Sequence, residues 1–171
     1  MRYLARCTER GHHGCMENTP NAASLTRLLN EADIRDTIAR FAVAATRADV
    51  DSWRALWDAD AEWVIGSTDR QPFESRATGL DDIVSMFRHL RDTKEYFVQF
   101  AVPGAIEIDG GNATVRCLCY EAARGPGEYY RNTGIDTVQL RRSARGWVFT
   151  RRSYQYLWLD LGPYSGDVFP V

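Results

Sequence analysis

The sequence predicts an α+β domain in which N-terminal helices cover one curved, mostly antiparallel sheet. In the first half of the chain, apolar residues recur at spacings of three and four, a period typical of helices. After Glu95, β-branched and aromatic residues form runs of about ten residues separated by short turn sequences, which is typical of strands. Helices followed by closely connected strands favour one helical layer packed against one sheet.

Composition limits the size and the partners of the protein. The chain has 171 residues, of which 44% are hydrophobic, enough for one domain with a buried core. A net charge of −2 argues against nucleic acid or an anionic membrane as the main partner. No stretch approaches the roughly 18 to 20 apolar residues of a membrane helix, and the N-terminus lacks a signal-peptide core. We expect a cytoplasmic protein whose partner is a small neutral or weakly polar molecule.

The N-terminal segment differs from the rest of the chain. Residues 1–21 carry no periodic apolar pattern, so we expect a disordered tail ahead of a single domain spanning 22–171. The tail holds four residues of the types that bind zinc. They are Cys7, His12, His13 and Cys15. Their spacing matches no structural zinc site, and nothing in the chain resembles a phosphate-binding loop, so neither a metal nor a cofactor is expected.

The periodic pattern predicts three helices. From Ala22 it indicates one long helix, or two abutting ones, ending near Arg47. Asp49 or Asp51 can cap a short second helix, because a carboxylate accepts hydrogen bonds from first-turn N–H groups. This helix is expected to carry Trp53, Leu56 and Trp57. A short strand over 62–65 and a polar loop over 66–78 follow. The third helix begins near Asp81 and buries Ile83, Met86, Phe87 and Leu90.

Four longer strands are predicted in the second half of the chain. Their connections are short, so consecutive strands are expected to pair antiparallel as a meander. Pro103 and Gly104 cannot sit in an undisturbed ladder, and we expect a bulge there that bends the sheet around a pocket. The strands are expected at 96–108, 113–123, 132–142 and 147–158.

Six segments carry a family resemblance through their order and spacing. They are 33–41, 49–53, 58–63, 79–83, 106–110 and 140–147. Together they resemble SnoaL-like proteins of the nuclear-transport-factor-2-like superfamily, over about residues 30–158. The resemblance implies a cone-shaped sheet around a pocket. Because this fold hosts dehydratases, dehydrohalogenases, isomerases, epoxide hydrolases, polyketide cyclases and binding modules, it leaves the function open.

The resemblance also implies a catalytic pair that this sequence lacks. Members such as scytalone dehydratase and hexachlorocyclohexane dehydrochlorinase imply an aspartate late in the first helix and a histidine early in the first long strand. Here Thr46 and Gln99 stand at those positions, and neither takes up a proton near neutral pH. They could hold a ligand carbonyl or hydroxyl, or be satisfied by backbone. Activity should then be flat between about pH 6 and 8; otherwise His89, or Asp136 if it faces inward, is the first base to test.

Alternation along the last strand divides its side chains between two faces. One face is expected to line the pocket, where Arg152 could stabilise an enolate or pair with Asp136, and Tyr154 could donate a proton. This face comprises Val148, Thr150, Arg152, Tyr154, Tyr156 and Trp158. The other face would expose Trp147 and Phe149, which favours a homodimer or homotrimer.

The candidate site combines these polar residues with an aromatic lining. The polar members are Thr46, Gln99, Arg152 and Tyr154. Seven aromatic side chains would suit a polycyclic or polyene ligand. They are Phe41, Trp57, Trp63, Tyr96, Phe97, Tyr156 and Trp158.

Two functions fit this site. The first is a lyase- or isomerase-type enzyme, a cyclase or dehydratase, acting on a polyketide- or terpenoid-like intermediate of secondary metabolism. It would work mainly by shaping and hydrogen-bonding its substrate. The alternative is a non-catalytic small-molecule-binding or subunit-like module. An open pocket with a polar wall favours the enzyme, whereas a pocket filled by its own side chains favours the module.

Overall fold

A computed structural model describes residues 21–66 and 74–169. Within them, three helices and six strands form an α+β arrangement, as predicted. The helices are α1 (Ala22–Arg47), α2 (Val50–Arg54) and α3 (Leu80–Arg91). The strands are β1 (Trp57–Ile65), β2 (Ser75–Thr78), β3 (Tyr96–Asp109), β4 (Asn112–Gly125), β5 (Glu128–Ser143) and β6 (Gly146–Asp160). Residues 1–20, nearly all of the predicted tail, lie outside the described residues.

One continuous helix, α1, accounts for the first periodic stretch. It starts where the Asn21 side chain accepts a hydrogen bond from the Ser24 N–H at 2.8 Å. It ends at Ala48, whose φ of 53° lies in the left-handed region and breaks the helical path. Asp49 then caps α2 by accepting from the Ser52 N–H at 3.1 Å. The two helices are therefore joined by a tight turn, as the sequence predicted.

The six strands form one sheet in the order β2-β1-β6-β5-β4-β3. The four long strands form the predicted antiparallel meander, and β1 joins it parallel to β6. The pairing of β3 with β4 shifts between Pro103 and Ile106, which confirms the predicted bulge. Helix α1 packs on β3 and β6, so one face of the curved sheet is covered by helix. None of the helices in the described ranges is long and apolar enough to cross a membrane.

Two local predictions ahead of α3 were wrong. Trp57 begins strand β1 instead of extending α2, because it pairs with Phe149 of β6. The Phe149 N–H also donates to the Leu56 carbonyl at 2.8 Å, so sheet pairing outweighs the helical pattern. The predicted polar loop contains strand β2, which pairs antiparallel with β1. Residues 67–73 of that loop lie outside the described ranges.

The expected outer face of β6 was also wrong. In the β5–β6 pairing Gln139 lies opposite Arg151 and Leu140 opposite Phe149, so Thr150 is an extra residue that reverses the alternation. Trp147 and Phe149 consequently point into the core and are 3% and 0% exposed. They cannot be the apolar surface that was expected to hold copies of the chain together.

An aromatic cluster lies between the helices and the sheet. Trp53 is fully buried and stacks on Phe87 of α3, with ring centroids 4.1 Å apart. Phe41 of α1 meets Phe149 of β6 edge-on at 5.5 Å. Such contacts add to the hydrophobic burial of the rings themselves. The cluster fixes α1 and α3 against the sheet and forms one end of the cavity described next.

Candidate active site

A cavity of about 250 Å³ lies between α1, α3 and the inner face of the sheet. Its walls are mainly apolar, with one polar region on the central strands. The apolar walls include Phe41, Ala45, Ile65, Phe87 and Phe97. Two further lining residues, Leu90 and Leu161, are exposed, so the cavity reaches the surface at that end.

Four of the seven predicted aromatic residues line this cavity. They are Phe41, Trp63, Phe97 and Tyr156. Trp57 instead lies in the aromatic cluster, with its ring against Trp53 and Phe149. Tyr96 lies outside the lining because it alternates with Phe97 along β3.

Trp158 and its neighbours on β6 depart from the prediction for a related reason. Thr133 lies opposite Trp158 and Gly134 opposite Tyr156, so Leu157 is an extra residue in the strand. Alternation reverses there, leaving Trp158 49% exposed and bringing Leu159 to the cavity. Val148 and Thr150, also expected on the pocket face, do not line the cavity.

Three of the four predicted polar residues reach the cavity. Gln99, Arg152 and Tyr154 are among its lining residues, whereas Thr46 is not. The Thr46 hydroxyl accepts a hydrogen bond from the backbone N–H of Gln99 at 3.2 Å. Thr46 and Gln99 are therefore in contact, but through the backbone N–H of Gln99. Of the two side chains, only that of Gln99 faces the cavity.

Glu121 is a polar cavity residue that the sequence analysis did not single out. Gln99 of β3, Glu121 of β4 and Asn132 of β5 are cross-strand neighbours in one row, and such side chains are close enough to touch. The Gln99 side-chain amide donates to one carboxylate oxygen of Glu121. The Asn132 amide donates to the other at 3.1 Å. Two amides from neighbouring strands therefore fix a carboxylate at the cavity wall.

A tyrosine extends this row toward β6. The Tyr154 hydroxyl donates to the side-chain oxygen of Asn132. Its ring lies over Gly134, where a Cβ atom would come within 2.4 Å of the ring. Glycine at this position therefore leaves the space that Tyr154 occupies.

Burial shifts the pKa values of the ionisable groups in this region. It raises the pKa of Glu121, although the hydrogen bonds from Asn132 and Gln99 act in the opposite direction. It also raises the pKa values of the Tyr130, Tyr154 and Tyr156 hydroxyls. The tyrosines therefore remain protonated donors, while the carboxyl titrates above its usual range.

Arg152 and Asp136 form a buried ion pair beside this row. The Arg152 Nε donates to an Asp136 oxygen at 2.8 Å, and the two side chains are 4% and 1% exposed. The guanidinium carbon lies 3.4 Å from the centre of the Phe41 ring. The Nη1 of Arg152 has no hydrogen-bond partner in the described part of the chain. The predicted pairing with Asp136 is present, and one donor is left for a ligand.

Arg91 holds the helical side of the cavity in place. Its guanidinium donates to the Ala45 carbonyl at 3.2 Å and to the Thr46 carbonyl at 3.1 Å. These carbonyls lie in the last turn of α1, where helical carbonyls lack their usual intrahelical partners, and the Ala45 carbonyl also accepts from the Ala48 N–H at 3.3 Å. A third hydrogen bond, to the Lys94 carbonyl at 2.9 Å, ties the end of α1 to the segment after α3. Arg91 thus fixes the mouth of the cavity.

The described residues offer neither a metal site nor a reactive thiol. No group of three or more His, Cys, Asp and Glu side chains within 21–66 and 74–169 is arranged to hold a metal ion. Cys117 and Cys119 are buried free thiols, and burial raises the pKa of Cys117 to about 11. The polar side chains that line the cavity present oxygen and nitrogen atoms.

A profile of the SnoaL-like domain matches residues 26–153. The chain belongs to the SnoaL-like family. Its fold is that of the nuclear-transport-factor-2-like superfamily, with an open curved sheet behind N-terminal helices. No curated protein matches the chain.

Solved structures share this SnoaL-like fold. An NTF2-like protein with a cystatin-like fold from Novosphingobium aromaticivorans is 25% identical, with a TM-score of 0.65, over 83% of this chain and 92% of that one. LinA-type3, a hexachlorocyclohexane dehydrochlorinase from Novosphingobium barchaimii, is 13% identical, with a TM-score of 0.71, over 85% and 99%. A protein provisionally assigned as a scytalone dehydratase, from N. aromaticivorans, is 16% identical, with a TM-score of 0.70, over 82% and 92%.

Replacing Gly134 by alanine should disturb this SnoaL-like cavity. The added Cβ would lie 2.4 Å from Tyr154 Cζ and 2.6 Å from its hydroxyl oxygen, so the ring must move and release Asn132. We expect Gly134→Ala to lower the free energy of unfolding by about 1 to 3 kcal/mol, measured by urea denaturation. Gly111→Ala is the matched control, because nothing lies within 4 Å of its added Cβ. Equal stability of the two variants would contradict the position given for Tyr154.

Proposed function

We propose that this SnoaL-like protein is a lyase- or isomerase-type enzyme, a cyclase or dehydratase, acting on a hydrophobic polyketide- or terpenoid-like intermediate of secondary metabolism. The observation that carries the proposal is the apolar cavity with one polar wall. Apolar walls bind a hydrophobic skeleton, and a few fixed polar groups orient its reactive part. Cavities of this kind are the default sites for small-molecule chemistry.

The polar wall favours an enzyme over a binding module. A module that only buried a hydrophobic ligand would gain nothing from polar groups lacking partners, since each costs free energy when desolvated. Here the Gln99 side-chain oxygen and Arg152 Nη1 are buried without a hydrogen-bond partner among the described residues. A hydroxyl and a carbonyl oxygen on the substrate would satisfy them.

Each polar residue then has a role suited to its geometry. Arg152 would donate from Nη1 to a carbonyl oxygen as negative charge develops on it. Gln99 would accept a hydrogen bond from a substrate hydroxyl, while Thr46 fixes its backbone. Tyr154 holds Asn132 in place through its single O–H, which donates to the Asn132 side-chain oxygen. Phe97 and Trp63 would pack against flat or conjugated parts of the substrate.

The names of two structural neighbours agree with this reaction class. One is a dehydrochlorinase and another is provisionally assigned as a dehydratase. Both reactions remove a proton and a leaving group from adjacent carbon atoms. We therefore propose elimination as the reaction in this cavity. The substrate class is inferred from the apolar walls of the cavity.

Ligand binding tests the proposed function without knowledge of the natural substrate. Neutral polycyclic and polyene ketones should bind and quench tryptophan fluorescence, because Trp63 lines the cavity. Carboxylated analogues of the same skeletons should bind at least tenfold more weakly, since Glu121 faces the same space. Phe97→Ala should weaken binding, whereas Phe100→Ala, on the other face of the same strand, should not. Failure of every neutral ketone to bind would contradict the proposal.

We further propose that the protein is a cytoplasmic homodimer or homotrimer. The support comes from the outer face of the sheet, not from Trp147 and Phe149. Phe100 and Val102 of β3 and Leu118 of β4 are 58%, 63% and 54% exposed there. An apolar area of this kind commonly marks an interface. Light scattering at micromolar concentration should give two or three chain masses, and a monomer mass would contradict the proposal.

A further inference from the structure

Glu121 is a cavity carboxylate at a position that the family resemblance does not account for. Glu121 lies on β4, whereas the pair implied by the family resemblance falls on Thr46 of α1 and Gln99 of β3. The side-chain amides of Gln99 and Asn132 each donate to a different Glu121 oxygen. A carboxylate can accept about four hydrogen bonds, so each oxygen retains capacity toward the cavity.

We propose that the Glu121 carboxylate removes a proton from substrate carbon in this cavity. This inference rests on the proposed lyase or isomerase function and supplies its base. Gln99, the residue at the family's histidine position, then acts as a positioning residue that holds Glu121 through its amide. The base is displaced by one strand, from β3 to β4.

The step balances without an oxidant, a reductant or a metal. A Glu121 oxygen takes the proton from a carbon next to a carbonyl, and the C–H electron pair forms an enolate. Arg152 Nη1 donates to the enolate oxygen. The enolate then collapses and expels a hydroxyl from the adjacent carbon, which takes the proton from Glu121 and leaves as water. In an isomerisation, Glu121 returns the same proton to another carbon of the conjugated system.

Two other groups are weaker candidates for the base. Asp136 faces the cavity, but it is held by Arg152, and protonating it would leave a buried guanidinium without its counter-charge. His89 lies on the exposed side of α3 and is not a lining residue. The hydrogen bonds to Glu121 come from neutral amides. It can therefore gain a proton without leaving a buried cation unpaired.

The surroundings of Glu121 favour its protonated form and so raise its basicity. Ionisable groups face it from β4, β5 and β6. They are Cys119, Tyr130, Asp136, Arg152, Tyr154 and Tyr156. Burial is the largest effect and raises the pKa of the carboxyl, which makes it a stronger base than an ordinary glutamate. A neutral substrate with an acidic C–H is the ligand class that fits, because an anion would meet this carboxylate.

A model substrate tests the base directly. We would use 5-nitrobenzisoxazole, a small neutral aromatic whose ring opens when a base removes its C–H proton. The C–H electron pair completes a nitrile, the N–O bond breaks, and a coloured phenolate is released. Wild-type protein should accelerate this reaction, and Glu121→Gln should lower kcat/KM at least a hundredfold. Glu107→Gln, the same change at an exposed position on β3, should leave it unchanged.

Two further measurements guard against a misfolded variant. Glu121→Asp keeps the carboxylate but, being one methylene shorter, places it farther from the substrate. The rate should therefore fall tenfold or more while its pH dependence persists. In wild-type protein the base must be ionised, so the rate should fall as pH drops through the Glu121 pKa, which lies above the usual glutamate range. A wild-type rate independent of pH between about 4 and 8 would overturn the proposal.

The outcomes separate this inference from the proposed function. If 5-nitrobenzisoxazole quenches tryptophan fluorescence but its ring opening is no slower in Glu121→Gln, Glu121 is not the base and the cavity proposal survives. If it neither binds nor reacts although neutral ketones bind, the base proposal fails and the cavity proposal survives; if no neutral ketone binds either, both proposals fail. Binding with a rate lost only in the Glu121 variants supports both.

Discussion

Two side-chain amides hold a carboxylate in a largely apolar cavity, and much of the surrounding structure keeps that arrangement in place. The register of β3, β4 and β5 aligns Gln99, Glu121 and Asn132 in one row. Tyr154 secures Asn132 from the next strand, over the space left by Gly134. The aromatic cluster and the Arg91 contacts fix the helices that close the cavity. A one-residue slip of any of these strands would turn its member of the row to the outer face.

Keeping this carboxylate charged opposes folding. Because burial raises its pKa, the folded state binds the Glu121 proton more tightly than the unfolded state does. The stabilisation from this group is therefore complete at low pH, below the unfolded pKa, and is lost as pH rises through the folded pKa. At neutral pH the aromatic cluster and the sheet must offset that loss. A loss of stability of this kind is expected at a functional site, where a group is kept in a reactive state.

Much of the fold could be predicted because periodicity and turn residues act locally. Asp49 caps α2, and the bulge near Pro103 follows from an N–H that proline lacks. The predictions were wrong where pairing between strands distant in sequence determines which way a side chain points. Bulges at Thr150 and Leu157 reverse the alternation of inward and outward side chains on β6. No residue type at these positions indicates a bulge. For Glu121 a signal existed: it follows Cys117 and Cys119 at a spacing of two and so shares their inward face. Its two amide donors, however, come from other strands and are visible only in the register.

Titration of the Glu121 carboxyl tests most directly whether its surroundings make it a base. Carbon-13 NMR on the full chain with labelled glutamate, assigned by comparison with Glu121→Gln, would follow that carboxyl from about pH 3 to 9. A cavity-facing carboxylate desolvated by its surroundings should titrate well above the usual value of about 4.3. A midpoint at or below that value would mean that Glu121 is hydrated or paired with a cation, and the structural basis for a carboxylate base in this cavity would be lost.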